Sequence, residues 1–137
     1  MIGICLAAAG LMLSVPTQTF TLGWTHSIEK IRWEEDYTVV STPNGARLLL
    51  TEARIRGSGA GMEPPPDAVL ADGVWHYKPP LAPLERLNLA RSGYGADDGT
   101  DYRADYSLCW DGRCHGMAKL IGTPAVAPLV EVSACRS

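Results

Sequence analysis

The chain lacks a basic surplus. Twelve Lys and Arg stand against 15 Asp and Glu, a formal net charge of −3, and the cations are scattered rather than gathered into a stripe. Nucleic acid is therefore excluded as a partner. The sequence also has a single Phe, and its body shows no sustained helical stripe. Its large apolar anchors are instead Trp24, Trp33, Trp75 and Trp110, rings that carry an N–H donor and suit a small β core or a binding face. No apolar run reaches the roughly 20 residues of a spanning helix. No complete catalytic, cofactor or zinc motif is present, so neither a cofactor nor a resident metal is expected.

What remains is ordinary for a folded protein: 137 residues, 46% hydrophobic and 20% charged, enough for one core and no more. From Ile2 to Val15 runs an apolar or small stretch that ends at Pro16, which reads as the h-region of a secretory signal or a short membrane anchor. Residues 1–16 are thus expected as an N-terminal hydrophobic helix and 17–137 as one β-rich domain. No Lys or Arg precedes the run, and Cys5 comes too early for a lipoprotein cysteine.

In the body, Phe20, Leu22, Trp24 and His26 alternate with Thr19, Thr21, Gly23 and Thr25, the period of a strand with one buried face. Ile31, Trp33, Glu35, Tyr37 and Val39 alternate in the same way with Arg32, Glu34, Asp36 and Thr38. Pro43-Asn44-Gly45 predicts a turn, after which Arg47 to Arg56 returns as a third strand. Val74 to Tyr77 and Leu84 to Leu89 are further strands, and Tyr102 to Leu120 folds about Asp111-Gly112 as a hairpin. Many short strands punctuated by Gly and Pro predict an all-β fold, a small antiparallel sandwich or partly open barrel.

With Asp111 and Gly112 as a two-residue loop, Trp110 faces Arg113 and Cys109 faces Cys114 in the non-hydrogen-bonded position. A disulfide fits there, given an oxidising compartment. The alternatives are two thiols, or a metal held with His115, for which the spacing is wrong. Cys135 is left over near an expected loose C-terminus.

The most unusual chemistry lies between Trp24 and Glu35, where His26, Glu29, Glu34 and Glu35 gather with two tryptophans. Strand parity puts His26 and Glu35 on apolar faces, and Glu52 and Arg54 on the face begun by Leu48 and Leu50, so these polar groups are expected to converge. They form a candidate site for a small anionic solute, or a salt-bridge network that only fixes strand register. Gly57-Ser58-Gly59-Ala60-Gly61 lacks the Lys and helix of a phosphate loop, though its amides suit a small anion near Ser58. Asp97-Asp98-Gly99-Thr100-Asp101 has the wrong spacing for calcium.

The strings Trp24-Thr25-His26-Ser27-Ile28-Glu29-Lys30, Trp33-Glu34-Glu35 and Glu52 through Met62 resemble the signature of a bacterial family of small proteins, domain of unknown function eighteen-fifty. The resemblance implies an envelope accessory beside the membrane subunits of TAXI-type tripartite (TRAP) solute transporters. It implies a periplasmic or cell-envelope location; membrane association through the N-terminus is the expectation from the apolar run over residues 1–16. The expected function is a noncatalytic accessory or ligand-binding module whose site residues are His26, Glu29, Glu35, Glu52, Arg54 and Ser58. The alternatives are a small envelope hydrolase using His26 with a serine or carboxylate, and a purely structural envelope domain.

Overall fold

In a computed structural model, which describes residues 2–25, 32–56, 67–91 and 105–136, the chain forms two antiparallel sheets. The elements are β1 (Ile2–Ala8), β2 (Leu11–Val15), β3 (Thr19–Thr25), β4 (Arg32–Thr42), β5 (Gly45–Arg56), β6 (Val69–Ala71), β7 (Val74–Tyr77), β8 (Arg86–Ala90), β9 (Ser107–Trp110), β10 (Arg113–Gly116), the short helix α1 (Met117–Ile121) and β11 (Leu129–Arg136). The small sheet has the order β2-β1-β11-β8 and the large one β10-β9-β3-β4-β5-β7-β6. They pack face to face, β11 on β5 and β1 on β4, as a sandwich rather than a closed barrel.

The expected N-terminal hydrophobic helix is corrected: this apolar run is β1, a tight turn and β2. Ala9 and Gly10 make that turn with φ of 51° and 79°, the positive pair that a two-residue hairpin requires. Ile4 and Leu6 are fully buried and belong to the same core as Phe20, Leu48, Leu108, Met117 and Val132. Position 3 must be small, because a Cβ there would stand 2.5 Å from the carbonyl oxygen of Val15, where the chain passes over β1.

The loose C-terminus is corrected too. β11 lies between β1 and β8 and buries Val130 and Val132. Cys135 is not left over, for it is bonded to Cys5 across the β1–β11 pair, with Cα atoms 5.8 Å apart. Cys109 and Cys114 face each other in the β9–β10 hairpin and are bonded, at a Cα separation of 4.0 Å. Asp111 and Gly112 supply the expected positive φ values, 51° and 76°. Both disulfides are compatible with an extracytoplasmic location. Among the described residues no helix is long and apolar enough to cross a membrane.

A buried ion pair fastens the small sheet to the loops beyond it. Arg91, just past β8, donates from Nε and Nη2 to the two carboxylate oxygens of Asp105 at 3.0 and 2.7 Å. Its remaining bonds run from Nη1 to the Ala127 carbonyl and from Nη2 to the Gly122 carbonyl, both at 2.8 Å. The two side chains are 0% and 3% exposed, so the bond set compensates two desolvated charges.

The large sheet holds an irregularity in β5 that decides which charges of that strand face outward. Asp36 pairs with Glu52, and Tyr37 with Leu50, so Thr51 is an extra residue in β5, a β-bulge that flips the alternation of that strand. Leu48 and Leu50 point into the core before it, and Ala53 and Ile55 after it. Glu52, Arg54 and Arg56 therefore turn outward.

Candidate functional site

The bulge separates residues that strand parity brings together. Glu52 and Arg54 lie on the outer face of the large sheet, whereas Glu35 stays on the inner face beside Tyr37. The expected convergence of Glu35 with Glu52 and Arg54 is thus corrected. His26, Glu29 and Ser58 lie outside the described residues.

The outer face carries an interlocked set of charges. Arg54 grips Asp36 with Nη1 at 2.6 Å and Nη2 at 2.8 Å, the two-pronged geometry that a guanidinium makes with a carboxylate. Its Nη1 also donates to Glu52 at 3.4 Å, and its Nε stands 3.6 Å from Glu34. Arg56 donates to Glu34 at 3.1 Å. Thr21 donates to Asp36 at 2.6 Å from the other side, and the Nδ1 of His76 contacts Glu52. These residues meet because cross-strand register places Thr21, Asp36 and Glu52 in one row and Glu34, Arg54 and His76 in the next.

The electrostatics follow from half-burial. Desolvation pushes the Asp36 carboxyl up, but the bonds from Arg54 and Thr21 and the charge of Arg54 outweigh it, and its pKa is lowered. The same bond to Asp36 holds the Arg54 guanidinium more firmly protonated than usual. The side chains of Arg54, Asp36 and Glu52 are 16, 30 and 37% exposed, which leaves them ordered by their neighbours yet reachable from solvent. Beside them runs an open groove of about 540 Å³ lined by Thr19, Thr21, Asp36, Thr38, Thr51 and the Cys109–Cys114 hairpin.

The inner face differs. Tyr37 donates to Glu35 at 3.0 Å, and burial raises the pKa of Glu35 against that bond. Burial and then the charge of Glu35 raise Tyr37 and Tyr77. Nearby, Trp24 stacks on Trp33 at 6.1 Å and tilts against Tyr106 at 5.6 Å. The buried Nε1 of Trp33 has no hydrogen-bond partner among the described residues.

Sequence reasoning missed Asp36 and His76 as site residues. The signal for Asp36 was present, since Arg32, Glu34 and Asp36 form the polar side of one alternation; only the bulge reveals what stands opposite. Among the described residues no group of three His, Cys, Asp or Glu side chains could hold a metal.

Residues 20–117, the greater part of the chain, match the family model described as Domain of unknown function (DUF1850). No curated protein matches the chain, and no solved structure does.

Proposed function

The chain belongs to the DUF1850 family, and on that premise we propose that it is a noncatalytic envelope module that works outside the cytoplasm as an accessory to the membrane subunit of a TAXI-type TRAP transporter. The observation that carries the reading is the outer face of the large sheet. Its carboxylates and guanidinium groups are matched to one another and partly exposed. Such a face suits orientation-specific recognition, in which fixed charges set register with a partner.

Catalysis would need a base or nucleophile poised toward an open cleft. The Asp36 carboxylate is instead occupied by Arg54 and Thr21. The two disulfides support work in an oxidising compartment.

Copurification of the full chain with the TRAP membrane subunit tests the proposal. The subunit is expected to be captured by the native chain and lost with Arg54→Glu, which sets like charges against Asp36 and Glu34, and solute uptake is expected to fall with it. A native chain that never captures the subunit, or uptake unchanged after substitution of both Arg54 and Asp36, would overturn the reading.

A further inference from the structure

Four arginines of the described residues lie on the outer face of the large sheet. Arg47 sits at the far end of β5 and bonds the Ala46 carbonyl, while the other three lie together around β3, β4 and β5, and two of those are held by carboxylates. Arg54 is gripped by Asp36, and Arg56 by Glu34. Arg32 is different. Its Nη2 donates to the Oγ of Ser107 at 2.8 Å, reaching from β4 across β3 to β9, and among the described residues no carboxylate lies within ion-pair distance of it.

Gly23 makes that reach possible. It pairs with Glu34 on one side and Ser107 on the other, and a Cβ at this position would run into Nη2 and Cζ of Arg32. Gly23 is not among the glycines with positive φ, so its backbone conformation is open to any residue. The requirement for glycine here is space, and the group that fills the space is the Arg32 guanidinium.

A guanidinium seated on backbone in this way is oriented before anything binds, which lowers the ordering cost of recognition. Its Nε and Nη1 hydrogens are not used by the Ser107 bond. Ser107 accepts from Arg32 with its oxygen, so its own hydroxyl proton is left to donate. The two side chains together present several donors of matched polarity in a half-buried setting, where such bonds are stronger than in open water.

We propose that Arg32 and Ser107, seated over Gly23, form a subsite for one carboxylate group of a small solute. The planar fork of a guanidinium matches a carboxylate. The subsite is a property of the isolated chain and is tested without the membrane subunit, so its failure is distinct from failure of the transporter reading.

A titration of the isotope-labelled full chain with acetate and with succinate, followed at the Arg32 Nε–H and the Ser107 amide, tests this directly, with inorganic phosphate and chloride as controls. Both carboxylates are expected to give saturable shifts that phosphate and chloride do not reproduce. Binding is expected to weaken roughly tenfold or more in Arg32→Gln and in Gly23→Ala, which keeps the charge but fills its seat. Ser107→Ala, a change of one hydroxyl, is expected to weaken it by a smaller factor and serves should Gly23→Ala fail to fold. No saturable shift in the millimolar range, equal shifts with chloride or phosphate, or unchanged affinity in Arg32→Gln would each overturn the subsite.

Discussion

Among the described residues, each side of the sandwich carries one disulfide and one two-pronged arginine–aspartate pair, but the two sets sit in different media. On the small-sheet side, Cys5–Cys135 joins residues 130 apart in sequence, and Arg91–Asp105 is 0% and 3% exposed. On the outer face of the large sheet, Cys109–Cys114 joins residues 5 apart, and Arg54–Asp36 is 16% and 30% exposed. The same chemistry is a fold lock in the first place and a surface feature in the second. Burial and loop length decide which, because a long cross-link restrains the unfolded chain more and a buried charge stripped of its partner has no water to replace it.

The disulfides give the largest expected contrast. On chain-entropy grounds, Cys5→Ala with Cys135→Ala removes about 5 kcal/mol of stability, against about 2 kcal/mol for Cys109→Ala with Cys114→Ala. Urea unfolding of the two double variants measures both, and equal losses would break the comparison. The ion pairs come next. Asp105→Ala is expected to cost about 3–5 kcal/mol, since it strands the Arg91 charge in the core. Asp36→Ala is expected to cost about 1 kcal/mol or less, its partner being partly solvated.

The smallest effect is in pH, and it separates the two faces of the large sheet by sign. Asp36 has a lowered pKa in the fold. Its contribution is therefore present above its unfolded value of about 3.9 and is lost as pH falls through the folded value. Asp36→Asn should flatten the acid limb of the stability curve. Glu35 is raised by burial, so it favours folding when protonated and opposes it as pH rises past about 4.3. Glu35→Gln should therefore gain stability relative to the native chain between pH 4 and neutrality, as urea midpoints across that range would register.

Much of the large sheet was legible in the sequence. The period-two runs through Phe20 and Trp33 became β3 and β4, and Asp111-Gly112 marked the hairpin that places Cys109 opposite Cys114. The small sheet was harder to read. A fully buried strand and a signal h-region are both unbroken apolar runs, and periodicity does not tell Ile2–Ala8 from either. Arg91 continues the inward parity of Leu87 and Leu89, but its partner Asp105 follows a long intervening segment, and no local pattern announces the pair. The polar site failed at a single residue. Parity read Glu52 and Arg54 as an extension of Leu48 and Leu50, and Thr51, an unremarkable threonine in a strand, reverses it.

Whether the proposed role of the Arg54–Asp36 face is recognition rather than folding is decided by Arg54→Met, assayed for capture of the TRAP membrane subunit alongside urea stability. Lost capture is expected, with a stability change of about 1 kcal/mol or less. Retained capture together with a collapse in stability would contradict that role.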